Sequence, residues 1–244
     1  MRIVVLRLDA PVVSFGAPAI DQNGVVQAFP ALSMLTGLIA NALGWDHRDA
    51  GMLERLQERV RYAARIDRRG EALVDYQTVD LGAEWMLPEH AGWTTRGRVT
   101  RRTGASGEAT HQRYRHYRMD SLHTVAFTLA EGDGPSPDEV AEALRTPARP
   151  LFIGRKCCLP AAPMLVDVVD GTSLVDVLAS LPRITRGDAG LLPAYWGDGD
   201  DATAAVAGSR VVAVTDERDW RNRVHVGRRL MREGHVNPPE ARHG

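Results

Sequence analysis

Residues 122–145, LHTVAFTLAEGDGPSPDEVAEALR, hold a strand, a turn and a capped helix in that order. Val125, Phe127 and Leu129 alternate with Thr124, Ala126 and Thr128, which is the period-two pattern of a strand with one face in a core. Gly132-Asp133-Gly134 breaks the chain as an acidic turn. Ser136-Pro137-Asp138-Glu139 is then a capping box with proline at the first helical position. Val140, Ala143 and Leu144 give the helix its inward stripe.

Toward the N-terminus the same alternation of strand and helix recurs. Residues 2–8 read as a strand, with Val4, Leu6 and Leu8 on one face and Ile3, Val5 and Arg7 on the other. A Pro/Gly-rich loop runs from Pro11 to Pro30. Ser33 is the expected N-cap of a helix with the stripe Leu35, Leu38, Ile39, Ala42 and Leu43, stopped by Gly44. Met52, Leu53, Leu56 and Val60 suggest a short second helix. Two strands, 60–67 and 72–81, are joined by the turn Arg68-Arg69-Gly70. Periodicity then fails from Gly82 to Arg118.

Toward the C-terminus the sequence predicts a strand at 149–154 ending in Gly154-Arg155-Lys156, and another at 164–169. A helix follows at 173–181, a Gly/Asp-rich loop at 187–203 and a strand at 210–215. Strand, helix, strand, strand, helix, strand, with an insertion before the third strand, is the split-βαβ order of a ferredoxin-like α+β fold. Such a fold carries its helices on one sheet face and leaves the other, with Arg7, open. The expected division is a core of residues 1–81 and 119–215, an insertion at 82–118, and an irregular basic segment at 216–244.

Composition is that of an ordinary globular chain: 244 residues, 44% apolar and 25% charged. No run of about 18 apolar residues exists, so no membrane span is expected. The apolar N-terminal stretch meets Asp9 and Pro11 at once and reads as a strand, not a secretion signal. Cys157 and Cys158 are neighbours and poorly placed to bridge, which suits a reducing cytoplasm.

Net charge is −1, yet the charges are segregated. Seven arginines and two histidines lie between Arg96 and Arg118 against the single acid Glu108, and six arginines lie between Arg218 and Arg232 against Asp219. Only Lys156 among the 30 basic residues is lysine, a bias that a GC-rich genome would produce without functional meaning. Segregation by sign can still give a strongly positive surface. No P-loop, dinucleotide fingerprint, zincin helix or nucleophile elbow is present, so neither cofactor nor metal is expected. Arginine forks pair with phosphate oxygens and stack on bases. Tyr114 and Tyr117, interleaved with Arg113, Arg115 and Arg118, add faces for unpaired bases. The helix start near Ser33 and the turn Gly154-Arg155-Lys156 are further candidate phosphate seats. Read without a relative, each of these features also fits a solvated loop, an ordinary cap or a plain turn.

An ordered set of segments resembles a known family. Leu6-Arg7-Leu8 with Pro11, Phe15-Gly16, then Phe29-Pro30, Ser33, Leu35, Gly37-Leu38 and Leu43-Gly44 resembles the N-terminal signature of the CasD-type (RAMP) subunits of type I-E CRISPR Cascade complexes. Asp75 to Val79, Arg115-x-Tyr117-x-x-Asp120, and Pro150 through Gly154-Arg155-Lys156-Cys157 to Pro160 follow in the family's order, over roughly residues 2–169. Phe15 stands where that family more often has tryptophan, and the C-terminal third matches poorly.

The resemblance implies an RRM-like fold with a β-hairpin thumb at about 82–118. It implies a non-catalytic subunit that holds the 5′ handle of the CRISPR RNA, caps the subunit filament and neighbours the backbone and large subunits, reaching target DNA only through the complex. The RNA contacts it implies are Arg7, Phe15, Phe29, Ser33, Tyr76, Arg96, Arg98, Arg101, Arg102, Arg113, Arg115, Tyr117, Arg118, Gly154, Arg155 and Lys156. Some related subunits cut precursor RNA without metal, and that alternative would use Lys156 with His116, Tyr117 or Tyr76.

Overall fold

A computed structural model of the chain describes residues 1–18, 23–80, 91–93, 99–101, 110–184, 190–200 and 207–240. It is a mixed α/β protein, mostly strands, with four helices among the described residues. The first half holds β1 (Arg2–Asp9), β2 (Val12–Val13), β3 (Asn23–Gly24), α1 (Leu32–Ala42), α2 (Ala50–Arg59), β4 (Val60–Arg68) and β5 (Glu71–Asp80). The short strands β6 (Ala91–Trp93) and β7 (Val99–Arg101) pair with each other. Next come β8 (Thr110–Met119), β9 (Leu122–Leu129), α3 (Pro137–Arg145), β10 (Leu165–Asp170) and α4 (Leu174–Ser180). The chain continues through β11 (Leu192–Gly197), β12 (Ala207–Val214), β13 (Glu217–Asp219), β14 (Val224–Val226) and β15 (Arg229–Val236).

The main sheet has seven strands in the order β10-β1-β9-β4-β11-β15-β12. Neighbouring strands in it run antiparallel, with Val4 opposite Phe127 and Tyr62 opposite Phe127 in adjacent ladders. On one face Val4, Leu6, Leu8, Tyr62, Val125 and Phe127 pack against Leu35, Leu38 and Ile39 of α1 and Val140 and Leu144 of α3. The capping box of α3 is complete: Ser136 Oγ accepts from the Glu139 amide, and Glu139 accepts from the Ser136 amide. Gly44 ends α1 with φ +78°, a conformation that disfavours any side chain.

The second face is not open. Ile3, Ala63, Ala126, Ala194 and Trp196 are buried there beneath Leu174, Val175 and Leu178 of α4. Arg65, fully buried, ties α4 down by donating to the carbonyls of Leu178 (2.6 Å), Leu181 (2.7 Å) and Pro182 (3.0 Å). Its charge is met by Asp67 at 2.7 Å, which also accepts from Thr124 at 2.6 Å. Arg7 shares this face with the buried Ile3 and Val5, and is itself half-buried. The expectation of an open sheet carrying Arg7 fails because the amphipathic α4 needs an apolar bed.

Other expectations are corrected too. Residues 149–154 form no strand; Pro150 lacks an amide hydrogen, and Ile153 bonds Cys158 and Ser14 in a tight loop. The Gly/Asp-rich stretch contains β11, and the last segment adds three further strands. β5 leaves the main sheet and pairs along its whole length with β8, from Glu71–Met119 to Asp80–Thr110. The paired arm therefore begins at Glu71, and its return strand is regular from Thr110. Hydrophobic periodicity misses β8 because Gln112 to Arg118 alternate polar and aromatic side chains on both faces.

Candidate functional site

The root of the β5–β8 arm is bound on its other edge by β2, at Val12–Met119, and by β3, which runs parallel at Asn23–Tyr114 and Gly24–Arg115. This brings four sequence-predicted residues, Ser33, Arg115, Gly154 and Arg155, around one cleft of about 340 Å³. Gly154 has φ +90°, and a Cβ there would fall onto the Ser14 carbonyl. Only glycine lets the 153–158 loop come this close to the segment after β2.

Arg155 then reaches back to the arm. It donates to the His116 carbonyl at 2.8 Å and to the Gly24 carbonyl at 2.9 Å, and its guanidinium lies 4.7 Å from the centre of the Tyr117 ring. Its work is largely structural, locking arm, loop and β3 together. The guanidinium groups of Arg115 and Arg218 line the same cleft and make no hydrogen bond or ion pair to any described residue. No Asp or Glu is among the described residues that line it. A concave site with three guanidinium groups and no acid attracts anions, phosphate above all.

The far wall comes from the β13–β14 hairpin, which sequence reasoning left unplaced. Gln57 pins it: its amide donates to the Arg218 carbonyl at 3.0 Å, and its Oε1 accepts from the Arg218 amide at 3.1 Å and the Trp220 indole at 3.2 Å. Arg218, Trp220 and His225 thereby face the cleft. The Arg218 guanidinium sits 5.5 Å from the Trp220 ring, and burial lowers its pKa, helped by Arg223. Burial first and then Arg218 lower the pKa of His225, and its Nε2 is 3.3 Å from Ser33 Oγ. The basic run 218–232 was visible in sequence, but nothing there separated Arg218 from Arg221, Arg229 and Arg232, which pair with Glu54, Asp216 and Asp198.

Ser33 does not cap α1. The cap residue is Ala31, and the start of the helix is served by Asp216, which accepts from the Leu32 amide through its carboxylate (2.9 Å) and from the Ser33 amide through its carbonyl (3.0 Å). With its first amides taken by an acid, that helix end is not the phosphate seat the sequence suggested. Asp216 is fully buried, and Arg229 and the Tyr62 hydroxyl also bond it.

The remaining candidates scatter. Phe15 is fully buried edge-on to His123, and Phe29 stacks on Tyr195 at 4.2 Å, so both belong to the core and offer no face to a base. Tyr117 is buried under Arg155, with its hydroxyl 3.5 Å from Cys157 Sγ; burial raises its pKa. Tyr76 is exposed and tilts against Tyr114 at 5.2 Å on the opposite face of the arm from Arg113 and Arg115. Arg118 is half-buried at the arm's root, with a buried Nε that meets no described acceptor. Lys156 lines a separate groove of about 690 Å³ with Trp45, Phe152 and Trp220. Arg101 falls in β7, while Arg96, Arg98 and Arg102 lie outside the described residues. The residues of the cleavage alternative are divided: His116 and Tyr76 take one face of the arm and Tyr117 the other. Among the described residues no His/Cys/Asp/Glu cluster could hold a metal, and no helix is long and apolar enough to cross a membrane.

Fold and cleft together define a mixed α/β protein with an arginine-lined cleft, without an acid among its described lining, at the root of a two-stranded arm. The profile of the CRISPR-associated protein Cas5 family matches residues 3–232, and the chain belongs to that family. It is 28% identical over 163 residues to the Cascade subunit CasD of the CRISPR system of Escherichia coli (strain K12), covering 67% of this chain and 69% of that protein. Among solved structures it resembles a chain of a CRISPR RNA-guided surveillance complex, with a TM-score of 0.70, 24% identity and coverage of 97% and 91% of the two chains. A crystal structure of a Cas protein matches with a TM-score of 0.64, 22% identity and 98% of each chain.

Proposed function

We propose that this chain is a subunit of a Cascade-type CRISPR surveillance complex that holds the 5′ handle of the CRISPR RNA and caps the filament of subunits, without itself cutting RNA. The observation that carries the reading is the cleft lined by Arg115, Arg155 and Arg218 with no acid among its described lining. Single-stranded RNA offers phosphates at regular intervals, and arginines without a protein acceptor are the groups that gain most from meeting them. The β1, β4, β9 and β10 strands with α1 and α3 serve as the ferredoxin-like core, and the β5–β8 arm as the thumb that folds over the guide. Base pairing by the guide reads target DNA, while this subunit reads backbone and shape. The backbone and large subunits of the complex are its expected neighbours.

Co-expression with the neighbouring subunits, followed by sequencing of the RNA that copurifies, tests the reading. A uniform RNA with one defined 5′ end is expected, and Arg115→Ala with Arg218→Ala should reduce its yield. An assembly that forms without RNA would sink it. Incubation of the purified chain with repeat RNA in the absence of metal separates binding from cutting; site-specific cleavage would replace the binding-only account.

A further inference from the structure

Ser33 and His225 occupy a position that phosphate binding alone does not explain. They touch at 3.3 Å in the cleft that Arg115 and Arg218 line. A purely electrostatic site for phosphate has no need of a serine hydroxyl paired with an imidazole. We infer that the Ser33–His225 pair reads the ribose 2′-hydroxyl of a nucleotide whose phosphate rests on Arg115 and Arg218, and so makes the cleft selective for RNA over DNA. The inference rests on the RNA-binding reading above and names the chemical group it recognises.

Three observations carry it. First, a 2′-hydroxyl both donates and accepts, and a serine hydroxyl beside an imidazole offers both functions, since the ring can adopt either tautomer. A carboxylate could accept equally well but would repel the neighbouring phosphate, and none is among the described lining. Asp216, the acid that acts on His225, has its own oxygens engaged by the Leu32 amide, Tyr62 and Arg229. It stabilises the hairpin without neutralising the cleft.

Second, Ser33 is buried and His225 half-buried, yet both line the cleft, and no side chain stands at the neighbouring position 16. Gly16, with φ +53°, lies beside the pair, and a Cβ there would come to 3.8 Å from both Ser33 Oγ and His225 Nε2. Glycine keeps that space free. Third, the cleft shares Gly37, Phe152 and Trp220 with the adjoining groove of about 690 Å³. A ribose held on Ser33–His225 would have an aromatic surface within one nucleotide's reach for its base.

The test uses the full wild-type chain and a single-stranded RNA of the handle sequence, about 12 nucleotides long, within the range one small fold covers. Variants of that strand carry one 2′-deoxy position each, and an all-deoxy strand completes the set. Affinity should fall by about 3- to 10-fold at one position only, the loss expected for one neutral hydrogen bond. His225→Ala should abolish that penalty while leaving the other positions alone, and Ser33→Ala should reduce it; the coupling reads directly from the double-mutant cycle. RNA and DNA bound alike, or a penalty unchanged in His225→Ala, would overturn the inference and leave the RNA-binding reading standing. Binding of neither strand would overturn both. Because the deoxy walk uses unaltered protein, a misfolded variant cannot decide the outcome.

Discussion

Two regions of this molecule are built around arginine, and they use it in opposite ways. Beneath α4, Arg65 is fully buried and its donors are met by Asp67, Thr124 and three backbone carbonyls. At the root of the β5–β8 arm, the guanidinium groups of Arg115 and Arg218 have no acceptor among the described residues, and Arg155 spends its donors on two carbonyls with no acid among the described lining of the cleft. A saturated guanidinium holds a helix in place. An unsaturated one in a concave site is available to a ligand. The contrast lies in the partners, not in the residue type, which explains why a count of arginines could not separate the two.

The comparison breaks most visibly at Asp67. Asp67→Ala leaves Arg65 charged and buried, and should cost about 3–5 kcal/mol of stability, read from the urea unfolding midpoint. RNA affinity per folded molecule should be unchanged. A loss of about 1 kcal/mol or less, the scale of a surface ion pair, would mean that Arg65 is not the anchor of α4.

His123 is buried against Phe15 with Nε2 at 3.1 Å from the Ala28 carbonyl. Burial pushes its pKa down from 6.5 to about 4. The folded state therefore resists a proton that the unfolded chain accepts. Its contribution is complete above about pH 6.5 and is lost as pH falls toward 4, by about 3 kcal/mol in total. His123→Gln should flatten that part of the stability–pH curve, as followed by thermal melts in buffers across the window.

At the cleft, Arg115→Ala and Arg218→Ala should each weaken handle RNA binding by about 10- to 100-fold, the range for one charge-assisted contact. Melting temperatures should hardly change, since neither guanidinium has a described hydrogen-bond or ion-pair partner to lose and the Arg218–Trp220 ring contact at 5.5 Å is weak. If both contact phosphate, the double variant should reduce the slope of log affinity against log salt by about 1.4, two contacts at ~0.7 each. An unchanged slope would remove the two arginines from the RNA path. The smallest effect belongs to a site outside both regions. Ser136→Ala breaks the capping box of α3 and should cost about 1 kcal/mol with no change in RNA binding, which sets the scale for an edit that touches neither arginine environment.

Local physics was legible in the sequence wherever one residue or one period decides the outcome. The strand at β9, the capping box at Ser136 and the stop at Gly44 are each encoded within a few residues and each stands in the structure, although β9 is buried on both faces and not on one. β8 escaped because a ribbon carrying arginine and tyrosine on both faces gives hydrophobic periodicity nothing to detect. β11 escaped because its Gly- and Asp-rich flanks outweigh the short apolar run Ala194-Tyr195-Trp196 that pairs with β4 and β15. The resemblance put Phe15 and Phe29 among the RNA contacts, but a motif along the chain cannot tell a ring facing solvent from one facing a core, and both are buried.

By itself, then, the sequence determined the alternation of strands and helices, the segregation of charge and the ordered motifs that carry family membership. All of these are properties of near neighbours along the chain. Only the tertiary structure decided which cations are free. Arg115 and Arg218 are separated by about a hundred residues and meet through the pairing of β8 with β3 and the pinning of β13 by Gln57. Whether a guanidinium finds an acid or a void is fixed by such long-range contacts, and no local pattern records them.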